Sequence, residues 1–68
     1  MAEGGVMCEA THNGRTFRIE FGGKEVGYYL YVFSDSQCTH DYLQDTMQIA
    51  KEDAHELFGV PLEAWVDA

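Results

Sequence analysis

Val6-Met7-Cys8-Glu9-Ala10-Thr11-His12-Asn13-Gly14-Arg15-Thr16-Phe17-Arg18-Ile19-Glu20-Phe21 is the stretch whose reading decides the fold. Asn-Gly between alternating segments is the strongest short-range hairpin signal, because a two-residue type I′ turn needs φ > 0 at both central positions. Folding the chain at Asn13-Gly14 sets His12 opposite Arg15, Ala10 opposite Phe17, Cys8 opposite Ile19 and Val6 opposite Phe21. One face then collects Val6, Cys8, Ala10, Phe17, Ile19 and Phe21. The other collects Met7, Glu9, Thr11, Thr16, Arg18 and Glu20, with Glu9 and Arg18 a complementary cross-strand pair. The pattern predicts strands over Val6–His12 and Arg15–Phe21.

Gly22-Gly23-Lys24-Glu25 follows as a turn, and then comes VGYYLYVF. A four-residue connection puts Val26, Tyr28, Leu30 and Val32 on the apolar face. Gly27, Tyr29, Tyr31 and Phe33 then stand on the face of Glu20, Arg18 and Thr16. A slip of one residue would exchange the two sets, and the sequence leaves that parity open. In either register the strand is apolar on both sides, the mark of a central strand covered on both faces. Ser34-Asp35-Ser36 reads as another turn, and Gln37–Tyr42 as a short further strand with loose alternation.

A helix comes next. Asp45 is the expected N-cap, with Gln48 completing a capping-box pattern. Met47, Ala50, Ala54, Leu57 and Phe58 recur at helical spacing as one stripe for burial. Gly59 is placed to end the helix and Pro61 to prevent its continuation. His55 in the last turn suits the helix dipole. Trp65, beyond a short turn, is expected to fold back as a lid on the core. The expected architecture is α+β: an antiparallel meander of three or four strands, with one C-terminal helix packed on one face, in a single domain over 1–68.

Composition narrows the function classes. The 68 residues carry twelve Asp+Glu against four Lys+Arg, a net charge of −8. Such a charge repels a phosphate backbone, so no nucleic-acid partner is expected. No apolar run approaches the ~18–20 residues of a membrane span, and the polar, glycine-containing start does not resemble a signal peptide. A cytoplasmic protein with two reduced thiols, Cys8 and Cys38, is the expectation. The acidity is uneven: residues 41–68 hold seven acidic groups and one lysine, whereas residues 1–40 hold five acidic groups and three basic ones. A solvated helical side explains this. An acidic surface steered to a basic protein explains it as well.

The candidate chemistries are thin. Cys38-x-His40, Cys8, His12 and His55 are soft metal donors, but nothing forms a second ligand pair of recognisable spacing. Glu52-x-x-His55 has the spacing of di-iron helices, which come in sets of four. No metal or other cofactor is expected. Cys38 and His40 fall on one face if their segment is a strand, which would permit a thiolate–imidazole contact. No oxyanion hole accompanies them, and no helix begins at either cysteine. Gly4-Gly5 and Gly22-Gly23 lack the phosphate-loop pattern. The chain is read as a non-enzyme.

The aromatic stripe is the feature without a structural explanation inside the chain. One helix covers one face, so Tyr29, Tyr31 and Phe33, with Tyr42 joining them, need cover from another molecule. Tyrosine suits such surfaces because it buries area while keeping a polar handle. The expected interface is therefore Arg18, Tyr29, Tyr31, Phe33 and Tyr42. Its first expected occupant is a second copy, in a homodimer or higher homo-oligomer. Two other functions remain open: an antitoxin- or immunity-like acidic inhibitor of a basic protein, and a small-molecule binder with its site at the subunit interface.

The stretch HDYLQDTMQIAKEDAHELFGVPLEAW resembles the C-terminal half of a group of small uncharacterised bacterial proteins. In these a strand leads into a D-x-W/Y-x-x-[DS]-T/S-x-x-x-A-x-x-x-A helix, an FGV stop and a tryptophan. The matching positions are Asp41, Tyr42, Asp45, Thr46, Ala50, Ala54, Phe58, Gly59, Val60 and Trp65. This resemblance covers somewhat under half the chain and implies a bacterial sheet-plus-helix protein without an activity to transfer. The strand-then-helix order is also similar, in topology alone, to the partial RNase H-like domain of HicB-type antitoxins.

Overall fold

Asn13 and Gly14 take φ values of 52° and 76°, the left-handed pair that a type I′ turn demands. They join β1 (Gly5–His12) to β2 (Arg15–Phe21) in a computed structural model that describes residues 5–68. Gly4, half of one glycine pair noted above, lies outside the described residues. The register matches expectation from Cys8–Ile19 to His12–Arg15. Below Cys8 it slips by one residue, so that Gly5 faces Phe21 and Val6 faces Glu20. A bulge at Met7 causes this and turns Val6 out of the core, leaving it 37% exposed.

The connection to β3 (Tyr28–Ser34) runs over Gly22–Gly27, two residues longer than expected. The Gly22 N–H donates to the Gly27 carbonyl at 2.8 Å, and the Val26 and Gly27 N–H groups both donate to the Gly23 carbonyl. Gly27 has φ of 111°, and a Cβ there would lie 2.5 Å from the Gln44 carbonyl oxygen. Val26, expected in the core, therefore sits in the loop, 42% exposed. The two added residues are an even number, so the parity of β3 survives. Leu30 faces Ile19 and Val32 faces Phe17, all four buried.

Asp35 and Ser36, at φ of 52° and 66°, close a second tight turn into β4 (Gln37–Gln44), which runs past the expected end at Tyr42. The helix α1 (Met47–Phe58) is capped by Thr46, whose hydroxyl accepts from the Ile49 N–H at 3.1 Å. Asp45 is not the cap, because β4 keeps the chain extended to Gln44 and the break comes one residue later than the capping-box pattern suggested. Gln48 instead donates its side-chain amide to Glu52. Gly59 ends the helix at φ of 76°, its N–H bonded to the His55 carbonyl, while the Val60 N–H reaches the Ala54 carbonyl. Ala50 and Ala54 are fully buried, and Met47 and Phe58 pack against the core. Leu57, expected in that stripe, is 57% exposed.

A short 3-10 turn (Leu62–Ala64) precedes β5 (Val66–Asp67), a strand the sequence reading lacked. It pairs with β1 at Cys8 and Glu9, and the Ala68 N–H donates to the Met7 carbonyl. Among the described residues the sheet thus has five antiparallel strands in the order β4-β3-β2-β1-β5, not three or four, and the helix is followed by a strand. The α+β class stands. Phe17, Ile19, Leu30 and Val32 of the sheet meet Ala50, Ala54 and Val60, and Trp65, half-buried, packs against this cluster. Full burial of each large aliphatic or aromatic side chain contributes about 1.5–3 kcal/mol. No helix among the described residues is long and apolar enough to cross a membrane.

Candidate functional site on the open face of the sheet

All of α1 lies on one side of the sheet, and the register places three cross-strand rows on the other. One row runs Leu43, Tyr29, Glu20, Val6; the next runs Asp41, Tyr31, Arg18, Glu9, Val66; the third runs Cys38, Phe33, Thr16, Thr11. Alternation along each strand forces this arrangement, since residues i and i+2 share a face.

Down the middle of these rows run three rings in contact. Tyr29 and Tyr31 stack with centroids 5.7 Å apart and planes 18° apart, and Tyr31 meets Phe33 at 6.4 Å in a tilted pair. Each is half-buried by its neighbours on the sheet. Arg18 holds the Phe33 end: its guanidinium lies 5.0 Å over that ring, and its Nε donates to Glu9 Oε2 at 2.8 Å. A longer contact of 3.9 Å runs from Arg18 Nη1 to Glu20 Oε2. With these side chains a third or more exposed, each pair contributes about 0.2–1 kcal/mol. Gly14, Thr16, Arg18, Phe33, Asp35 and Ser36 line an open concavity of about 480 Å³ at this end.

The Tyr29 end differs in charge. Burial raises the Tyr31 hydroxyl above its ordinary pKa of 10.0, and the nearby Glu20, Tyr29, Asp41 and Cys38 push it the same way. Asp41 has no ion-pair partner among the described residues.

Arg18, Tyr29, Tyr31 and Phe33, the residues expected at the interface, are thus together. Tyr42 is not with them. It faces Leu30 on the helix side and stacks on His40 at 6.2 Å. One residue accounts for this. In an uninterrupted ladder from the Asp35-Ser36 turn, Tyr42 would face Tyr29, but a bulge at Thr39 slips the register between Val32 and Phe33. The Thr39 hydroxyl, donating to the Val32 carbonyl at 3.2 Å, pins the bulge. Beyond it Asp41 and Leu43, which the sequence reading missed, take the open face.

The same bulge parts Cys38 from His40. Cys38 stays on the open face and donates its thiol to the His40 carbonyl at 3.4 Å. The His40 ring lies on the covered face, 5.5 Å from Phe58. The thiolate–imidazole contact considered from sequence is therefore absent. The other candidate donors are scattered: the His55 ring approaches the Val60 carbonyl, and Glu52 accepts from Gln48. Among the described residues no three His, Cys, Asp or Glu side chains gather.

Compared with models of protein families, with curated proteins and with solved structures, the chain matches none.

Proposed function

We propose that this chain is a non-enzymatic binding protein that works through the open face of its sheet, and that it assembles with a second copy there. The observation that carries this reading is the row Tyr29, Tyr31, Phe33: three touching aromatic rings on the side of the sheet away from α1. Four strands of about seven residues, about 4.8 Å apart and about 3.3 Å per residue, with the two residues of β5, make a face of about 500 Å². Two such faces bury about 1,000 Å² in total, the lower edge of specific interfaces, so the assembly is a weak and exchangeable one. Light scattering across tens of micromolar should show a dimer or larger, and Tyr31→Glu should return it to monomer. A wild-type monomer over that range overturns self-assembly. A second reading, an acidic inhibitor of a basic protein, draws on the charge around Tyr31.

A further inference from the structure

We propose that the Tyr29–Tyr31 end of the open face binds an arginine or lysine side chain carried by a basic partner protein. The inference rests on the open face being a binding surface, and it goes beyond self-assembly by naming a partner chemistry.

The face contains its own template for such recognition. At the Phe33 end Arg18 lies flat over an aromatic ring with the Glu9 carboxylate at its edge. The Tyr29 end repeats the two acceptors, ring and carboxylate, while Arg18, the cross-strand neighbour of Tyr31, has its guanidinium engaged with Phe33 and Glu9. Glu20 is the cross-strand neighbour of Tyr29, and Asp41 that of Tyr31. The chain's remaining basic side chains are placed elsewhere. Arg15 lies over Phe58 on the covered face, Lys51 belongs to α1, and Lys24 sits in the Gly22–Gly27 loop. Asp41 is exposed, and among the described residues Glu20 has only the 3.9 Å ion-pair contact with Arg18.

Charge complementarity selects the occupant. A guanidinium stacks on tyrosine faces and offers paired donors to a carboxylate, which an ammonium does only as a point charge. Leu43, 51% exposed beside Tyr29, supplies apolar surface for the aliphatic stem. The net charge of −8 draws a basic protein toward the chain before contact. A second copy carries the same Glu20 and Asp41 on this face, and its one arginine there, Arg18, is already paired with its own Glu9. The two carboxylates therefore favour a cationic partner and oppose self-assembly.

That opposition of sign supplies the test. Blocked hexapeptides carrying two arginines, two lysines or two glutamates are titrated into the full chain at low salt, followed by backbone and ring NMR signals. In parallel, assembly mass is measured by sedimentation. The arginine peptide should shift Tyr29, Tyr31 and Leu43, the lysine peptide should do so more weakly, and the glutamate peptide should not. Glu20→Gln with Asp41→Asn, a near-isosteric surface pair, should weaken the arginine peptide about tenfold while leaving assembly unchanged or tighter. Tyr31→Leu, which keeps every charge, should also weaken the peptide.

Shifts confined to α1, equal binding by the double variant, or equal shifts with the glutamate peptide overturn the proposal. A chain that sediments as a monomer yet binds the arginine peptide at Tyr29 and Tyr31 supports the cation site and ends the self-assembly reading. A dimer whose tyrosine signals ignore the peptide ends the cation site and keeps self-assembly.

Discussion

Ser36 holds a φ of 66°, next to Asp35 at 52°, in a turn where both central residues lie in the left-handed region. Glycine occupies that region without a Cβ penalty, as Gly14 does in the sister turn. Ser36→Gly should raise stability by about 0.5–1 kcal/mol, the relieved strain being partly offset by the greater freedom of glycine in the unfolded chain. Urea denaturation midpoints at unchanged slope would show it. Cys8 makes a second statement at this scale. Burial raises its thiol above the ordinary 9.0; the positive charge of Lys51 pulls the other way, and Asp67 adds to the rise. The folded state therefore favours the neutral thiol. Its contribution is complete below pH 9.0 and is lost as pH rises through the higher folded value. Cys8→Ala should lower stability at neutral pH by leaving a small void, yet show a shallower decline above pH 9.0 than the wild-type chain in pH-dependent urea melts.

Elements were legible where a periodic pattern repeats and hidden where one residue breaks it. The β1–β2 register followed from Asn13-Gly14 because a two-residue turn leaves no freedom in pairing. The parity of β3, which the sequence leaves open, is the one a four-residue connection gives, because the longer loop adds an even number of residues. Met7 and Thr39 had no such protection. A bulge has no signature of composition, and each moved real side chains: Val6 out of the core, Tyr42 away from the tyrosine row, Asp41 and Leu43 onto it. Two residues of β5 are too few for any period to register. The helix shows the same limit at its start, where Asp45 and Thr46 are both good caps by type and only the end of β4 decides. Thr46→Ala should cost about 1 kcal/mol, and Asp45→Ala should change stability by less than ~0.5 kcal/mol. Equal losses in the two variants, read from urea titrations followed by helical circular dichroism, would return the cap to Asp45.

At the scale of the whole molecule, the charge and the apolar surface are partly segregated. The chain after β4 holds six of the twelve acidic groups, while the aromatic row stands on the open face with Glu9, Glu20 and Asp41 around it. Two copies meeting through α1 would set like charges against each other; meeting through the tyrosine row, they remove rings from water against the milder repulsion of Glu20 and Asp41. Tyr31→Glu places a carboxylate at the middle of that row. Its desolvation outweighs a contact worth only about 1,000 Å², so the variant should sediment as a monomer at tens of micromolar. The fold itself should be untouched, since the side chain points away from the buried residues, and an unchanged urea midpoint would verify this.

The C-terminal tail along β1 has a consequence for growth. Val66–Asp67 occupies one border of the sheet with a strand only two residues long, whereas β4 leaves eight residues of backbone at the other border. A ribbon that lengthens by edge pairing needs two good ends, one to offer and one to receive. This sheet has one. Joining at β4 would use up that end in both molecules and leave the short tail strands outermost, so lateral growth stops at a pair.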